Sequence, residues 1–473
     1  MENPAESPVQ RPKKTGKQKA ILISRIALAV LAVLVYAKYF IDHPKYELQD
    51  WLVSGATLII FTMAMIVALP KLIDALSGES DTLLVKPKNS AAIFFAVMLG
   101  ALVLHIGMTL LGMFIYTKVG GAAAENAAKQ GFMKLWQTAW MKSNTDAKHY
   151  INIAENWYVN TEPDNLLIVF FPMLPVMIRF MNLITHNSFI SAQLINTVAT
   201  CLASGMTYLT LTPVIGDKRA RWGAIAAILM PGMIFMNSPM SEPLFMLFTV
   251  CCFFFIQKRQ LVIAGVFAAL AGFTRSLGVL LAVPIAIEGV CYIVRLAKNK
   301  KNWKQQIFVL LLALIVSTLG TIGYLYINKR VSGEWLRFLV YQKDNWYQSA
   351  CPFFETVRYI VRYLQMAFTK HDSGMIMLWI TSLITIFGSL ILMAKQSRRL
   401  PATYTFHYFA YFIVATGCTW LLSSVRYMSA LLPLVAAISL GFDKKWKTAI
   451  IFTILVACYI AYMTFYMLRW SVY

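Results

Sequence analysis

Apolar positions in this chain do not recur at the period of a surface helix or of a strand; they run on in long blocks cut by short charged stretches. Crossing roughly 30 Å of hydrocarbon takes about 20 apolar residues in a helix. The blocks at 20–41, 52–70, 91–117, 189–212, 222–236, 243–256, 261–274, 276–294, 307–328, 374–394, 402–421, 427–441 and 448–468 therefore predict an all-α polytopic membrane protein of about thirteen transmembrane helices. Several blocks are shorter than a lipid-exposed crossing, and these are expected to end at a water-filled vestibule.

Composition agrees: 59% of the 473 residues are hydrophobic, 14% are charged and the mean hydropathy is +0.62, which excludes a soluble domain. The net charge of +22 sits in short clusters at 11–19, 216–221, 257–260, 295–304, 395–399 and 443–447. That distribution is the positive-inside pattern of cytoplasmic loops and not the basic face of a nucleic-acid binder, so no nucleic-acid partner is expected. With the N-terminus inside, 118–188 and 329–373 become large external loops containing amphipathic interfacial helices. The apolar segment 166–184 must then not cross, and Pro172 and Pro175 suit a broken re-entrant or interfacial helix. Of the seven cysteines, all but Cys351 fall in apolar runs, so no disulfide framework or zinc spacing follows. Neither GxGxxG after a strand nor a P-loop is present, which leaves any chemistry to the outer side.

Ionisable residues at membrane depth must face protein or water. Glu242 and Glu288 are the carboxylates in or near apolar runs, and Arg275 and Arg426 fall at outer ends of spans, against the charge trend. The external stretch "SNTDAKHYINIAENWY" (143–158) adds Asp146 and His149 on an amphipathic helix, led in by aromatics at 136–142 expected at headgroup level. Each has a plainer reading. Asp146 can be a helix cap, Glu242 can be an N-terminal acid behind Ser238 or Ser241, and the arginines can snorkel. Taken together they fit a carboxylate base acting on a hydroxyl while arginines hold a phosphate leaving group, and equally fit anion transport.

The order of motifs resembles the integral-membrane glycosyltransferases of the GT-C class, and within it the GPI mannosyltransferase II family and its prokaryotic relatives. "TDAKHYINIAENWY" occupies the position of that family's Trp-Asp motif. "FFPMLP" (170–175), "SPMSEPLF" (238–245), "RSLG" (275–278), "FLVYQKDNW" (338–346) and "RYMSALLP" (426–433) follow in the family's order. Thr145 stands where the family has Trp and Met240 where it has Tyr, departures that bear on substrate identity more than on reaction type.

The resemblance implies transfer of a sugar, mannose first among candidates, from a polyprenyl-phosphate donor to an acceptor hydroxyl with inversion. Asp146 would be the general base. Arg275, Arg426 and Tyr427 would hold the donor phosphate, and His149, Glu242, Gln342, Asp344 and Trp346 would line the sugar or acceptor site. No cofactor or metal is required on this reading. The partners are the lipid-phosphate donor, a glycan, glycolipid or protein acceptor, and membrane lipid. The chain then divides into 1–90 (basic tail plus two extra spans), a GT-C-like module at 91–441, and a last span at 442–473. Without an ER-retention tail the expected location is a bacterial cell membrane, or the ER membrane if eukaryotic, with the site extracytoplasmic. A transporter or lipid flippase using the same cavity, and a membrane scaffold, are the alternatives from other classes.

Overall fold

The computed structural model describes residues 16–78, 90–141 and 145–470; residues 11–15 of the basic tail, and Ser143 and Asn144 of the polar stretch, lie outside the described residues. A helical hairpin, α1 (Gly16–Asp42) and α2 (Leu48–Leu76), precedes α3 (Ser90–Val119). The first external loop folds as α4 (Gly121–Lys129), α5 (Phe132–Trp140), α6 (Ala147–Asn156), a 3-10 turn (Asp164–Val169) and α7 (Met173–Thr185). Then come α8 (Ser188–Ile215), α9 (Asp217–Ile228), a 3-10 turn (Pro231–Asn237), α10 (Glu242–Gln257) and α11 (Leu261–Thr274). After a third such turn (Ser276–Leu281) follow α12 (Ala282–Lys298) and α13 (Lys304–Ser332). The second loop holds α14 (Arg337–Trp346) and α15 (Phe353–Thr369), and the chain ends with α16 (Ser373–Gln396), α17 (Ala402–Ala415), α18 (Ser424–Ser429), α19 (Leu432–Ser439) and α20 (Lys445–Met467). Among the described residues the one extended pairing is an isolated antiparallel bridge between Ala350 and Cys418.

Among the described residues eight helical segments are long and apolar enough to cross a membrane, namely α1, α2, α3, α8, α13, α16, α20 and the third 3-10 turn joined to α12 (Ser276–Lys298), or nine if α9 and the turn after it, bent by 67°, form one broken span. The protein is an integral multi-pass membrane protein. The other expected crossings take different forms. α10 and α11, of 16 and 14 residues, would reach only about 24 and 21 Å at 1.5 Å per residue. They stop where Glu242 and Arg275 meet the cavity described below, as a span covered by protein can. The block 427–441 is two short buried helices rather than one, restarted at Pro433, and the helix in 402–421 ends at Ala415. Segment 166–184 is broken at Pro172, as expected, whereas Pro175 sits in the first turn of α7 and does not interrupt it. The 3-10 turn leads into Pro172, and α7 is tied to the first loop by Arg179 Nε, which donates to the Ala154 carbonyl at 2.6 Å.

The bundle centre is α8, which buries residues on every side; α1 buries only Tyr39 and faces lipid almost all round. Two of the basic clusters between spans, 257–260 and 295–304, meet at one carboxylate. There Arg295 Nη2 reaches Glu288 Oε1 at 2.6 Å, Arg259 Nε lies 3.6 Å from the same oxygen, and Lys298 Nζ reaches the Ser77 carbonyl at 2.5 Å. Cysteines introduced singly at 125–129 or 337–345 should therefore react with an impermeant thiol reagent from outside intact cells, and those at 216–221 or 298–301 should not. External labelling near Lys218 would invert or break this topology.

A buried charge cluster fastens the N-terminal hairpin to the second external loop. Asp50, 2% exposed, accepts from Arg362 Nε at 2.7 Å and from Arg358 Nη1 at 3.4 Å. Arg358 also donates through Nε to Glu355 Oε1 at 3.0 Å and lies over the Tyr46 ring, whose hydroxyl donates to Glu355 Oε1 at 2.9 Å. Removing one member of such a set strands a desolvated charge, at a cost of about 3–5 kcal/mol. Arg358→Met is accordingly expected to lower the unfolding temperature of the purified protein far more than Arg337→Met, whose guanidinium meets Glu334 at the surface. Equal shifts would mean that the cluster does not hold the hairpin.

Candidate functional site

Four separated elements bring charge to one cavity of about 350 Å³, whose wall includes Asp146, Lys148, His149, Phe170, Arg275, Gln342, Trp346, Gln348, Arg426 and Tyr427. Asp146 stands at the start of α6, yet its side chain makes no cap hydrogen bond. Instead Oδ2 accepts from Arg426 Nη1 at 2.7 Å. The guanidinium of Arg426 turns a second nitrogen, Nε, to Glu242 Oε1, and that oxygen also accepts from Arg275 Nη1. Side-chain exposure falls from 31% at Asp146 through 5% at Arg426 to 1% at Glu242, and rises to 14% at Arg275, which returns to the cavity wall. The chain of charge thus runs inward from the solvent-facing carboxylate to a fully buried one.

Local structure explains each placement. Glu242 opens α10 behind two interrupted segments, the turn Pro231–Asn237 and the serines before the helix. Ser238 does not cap α10; its Oγ donates to the Trp140 carbonyl at 2.5 Å. Ser241 does not cap it either, since its Oγ lies 3.1 Å from the Tyr150 hydroxyl and 3.5 Å from Arg275 Nη1. Asn237 fixes the turn from behind, with Nδ2 donating to Tyr459 Oη at 2.8 Å and Oδ1 accepting from Thr109 Oγ1 at 2.9 Å. A Cβ at Gly232 would come within 2.6 Å of the Val425 carbonyl and 2.7 Å of Arg426 Cα, so only glycine lets the turn lie against α18. Arg426 is held there with its guanidinium over the Phe235 ring at 5.1 Å, and Arg275 lies over Tyr427 at the same distance.

The two external loops meet across the opening. His149 stacks on Phe170 at 4.9 Å, and Phe170 meets Trp346 edge-on at 6.1 Å. Burial pulls the His149 imidazole below its ordinary value, against the opposing pull of Asp146, which leaves it neutral near pH 7. Burial likewise pushes the Tyr150 phenol up to about 12, so it acts only as a hydrogen-bonding hydroxyl.

Of the residues singled out from sequence, the cavity gathers Asp146, His149, Arg275, Gln342, Trp346, Arg426 and Tyr427, with Glu242 immediately behind. Asp344 is not brought in. Gln342 and Trp346 lie four residues apart on one face of α14, and a residue two positions from either points elsewhere, into solvent. Trp140, expected at headgroup level, is instead fully buried; its ring lies on Tyr466 and its Nε1 donates to the Thr109 carbonyl at 3.1 Å. Sequence reading passed over Lys148, Phe170 and Gln348. Lys148 is the residue whose signal was available, a cation two positions from Asp146. With it the cavity holds three cations against two carboxylates. Both carboxylates are already bonded to Arg426, and among the described residues no three His, Cys, Asp or Glu side chains converge in a metal-binding group.

The family described as dolichyl-phosphate-mannose-protein mannosyltransferase matches residues 157–320. This is a family of the glycosyltransferase class that the motifs resemble. No match is found among curated proteins. Similar solved structures include ArnT from Cupriavidus metallidurans bound to undecaprenyl phosphate, at 14% identity and a TM-score of 0.45, covering 76% of this chain and 64% of that one. The Archaeoglobus fulgidus oligosaccharyltransferase in its apo form is similar at 15% identity and a TM-score of 0.38, covering 78% and 56%. The same organism's AglB in complex with an inhibitory peptide and a dolichol-phosphate gives 13% identity, a TM-score of 0.38 and the same coverage. The chain spans less than two thirds of the length of each.

Proposed function

We propose that this protein is a membrane glycosyltransferase that moves a sugar from a polyprenyl-phosphate donor to an acceptor hydroxyl on the extracytoplasmic side, with mannose as the sugar. The observation that carries the reading is the Asp146–Arg426–Glu242–Arg275 chain at the wall of one cavity, with the outermost carboxylate free of any capping task. The mannosyltransferase family match over 157–320 supports the same class.

On this reading the acceptor hydroxyl gives its proton to Asp146 as its oxygen attacks the anomeric carbon. The bond from that carbon to the donor phosphate oxygen breaks, and the electron pair leaves with the phosphate. Proton transfer to a positioned base contributes about 10² to 10⁴ in rate. The charge growing on the departing phosphate is met by Arg426 and Arg275, whose orientations are fixed in advance by Glu242, Phe235 and Tyr427. Three cations against two carboxylates leave one net positive charge for an anionic donor. Trp346 and Phe170 offer ring faces to a sugar, and Gln342 an amide to its hydroxyls.

The leaving group itself supplies a test that needs no acceptor. Polyprenyl phosphate added to the purified protein should raise its unfolding temperature, and go on raising it with the logarithm of its concentration above the dissociation constant, and inorganic phosphate at equal concentration should do so far less. Absence of a shift with polyprenyl phosphate would remove the phosphate-holding role of the arginines.

A further inference from the structure

We propose that α14 is seated on anionic phospholipid of the outer leaflet, with Leu336, Leu339 and Val340 at the acyl boundary and Lys329, Arg330 and Lys343 at the phosphates. The inference goes beyond the transferase reading and stands whatever the substrate of the cavity is.

The depth of α14 is set by α13. Phe308, Leu311, Ile315, Leu319, Ile322 and Tyr326 are exposed at steps of three and four residues, so one face of α13 looks into lipid along its whole length. Its apolar run, 307–328, covers about 33 Å at 1.5 Å per residue, close to the thickness of the hydrocarbon. Lys329 and Arg330, which follow directly, therefore stand among the outer headgroups. The chain does not leave the membrane surface there. Buried Asn328 accepts from the Phe338 amide through Oδ1 at 3.1 Å, and the Phe338 ring meets that of Tyr324 at 5.3 Å. The Trp335 ring lies 6.4 Å from that of Tyr326, so the lipid face of α13 continues through Trp335 into the start of α14. These ties hold the first turn of α14 beside the last apolar turn of α13, at the depth where Trp and Tyr concentrate.

Another side of α14 packs on the 3-10 turn Asp164–Val169, where Asn165 Nδ2 donates to Tyr341 Oη at 3.3 Å. Leu336, Leu339 and Val340, spaced as one helix face, are left exposed. At headgroup depth an apolar face of this kind buries itself in the acyl boundary. Lys343 follows on the same face, and its stem runs along apolar surface while the ammonium stays with the phosphates. Charge selects the headgroup. From Tyr326 to Tyr347 there are four cations, Lys329, Arg330, Arg337 and Lys343, against two carboxylates, Glu334 and Asp344. Arg337 is paired with Glu334, and Lys329 Nζ turns to the Gly333 carbonyl at 2.6 Å. Among the described residues neither Arg330 nor Lys343 meets a carboxylate. Each basic side chain at a membrane surface favours anionic lipid about fivefold. Gln342 and Trp346 stand on the same ten-residue helix, so the seat fixes the height of their part of the cavity wall above the bilayer.

The test places the photoreactive amino acid p-benzoylphenylalanine singly at Leu339, at Val340 and at Asn345, which is exposed on the opposite face of α14. Ile315, on the lipid face of α13, serves as the positive control. The full-length protein is irradiated in nanodiscs of phosphatidylglycerol and phosphatidylcholine in equal amounts, and adducts are identified by intact mass. The expected result is phospholipid joined at 339 and 340 as at 315, none at 345, and phosphatidylglycerol exceeding phosphatidylcholine at 339 and 340 by about fivefold or more. Lys329→Gln, Arg330→Gln and Lys343→Gln combined should bring that ratio toward one while lipid is still captured. Lipid joined at 315 but not at 339 or 340 would overturn the seat and leave the face to water or to a protein partner. Equal capture of the two lipids by the protein with its basic residues intact would overturn the choice of anionic lipid. Both results are read without donor or acceptor, so they are independent of whether sugar transfer is ever observed.

Discussion

Asp146→Asn is expected to reduce sugar transfer by roughly 10²- to 10⁴-fold, about 3–5 kcal/mol of barrier, while expression, folding and donor binding stay close to wild type. Asparagine keeps the shape of the side chain and can still accept the hydrogen bond from Arg426 Nη1, so the ion chain loses one charge at its solvent-facing end and nothing at its buried end. What it cannot do at neutral pH is take a proton. The competing account, in which Asp146 caps α6, predicts no loss, because Asn caps as well as Asp. That account already fails on geometry, since the Asp146 side chain makes no cap hydrogen bond. Single-turnover assays with donor bound beforehand would read the effect, and turnover at the wild-type rate would take Asp146 out of the mechanism.

Arg426→Lys keeps the charge and removes the fork. A guanidinium reaches Glu242 through Nε and Asp146 through Nη1 at once, whereas an ammonium on a flexible stem is a single point and cannot span both in the same geometry. Losing one hydrogen bond to a charged group costs about 1.5–3 kcal/mol. The expected outcome is a roughly 10- to 100-fold fall in kcat/KM for the donor, with a lower unfolding temperature from the poorly paired Glu242. Kinetics normalised to the folded fraction separate the two effects. If Arg426 serves only the fold, the normalised donor kinetics are unchanged.

The long spans, the break at Pro172, and the meeting of Glu242, Arg275 and Arg426 were legible because lipid imposes a severe rule. An ionisable group at depth has to find a partner or water, and the sequence holds few of them, so the few find one another. Gln342 and Trp346 were legible from their motif, and Asp344 could have been set aside by helical spacing alone, because it lies off their face of α14. Other features carried no local signal. The stretch "ATGCTWLLSS" reads as apolar span, yet it is loop after Ala415, since protein rather than lipid covers it and its backbone finds partners in 347–351. Trp140 reads as an interfacial aromatic until the fold supplies the Thr109 carbonyl for its Nε1. Asp50 finds Arg358 and Arg362 across 308 and 312 positions, a separation at which no periodicity speaks.

The central claim is that the cavity does chemistry on a lipid-linked sugar instead of carrying one across the bilayer. The most direct measurement places purified protein in vesicles with a polyprenyl-phosphate sugar, labelled in the sugar, and a membrane glycolipid acceptor in the leaflet the external loops face. The label is then followed through both chemical form and sidedness. The account predicts that label leaves the polyprenyl phosphate and appears on the acceptor in inverted linkage, at a rate that collapses with Asp146→Asn. Label that crosses the bilayer still attached to its polyprenyl phosphate, with no acceptor product, would contradict it and make the protein a transporter.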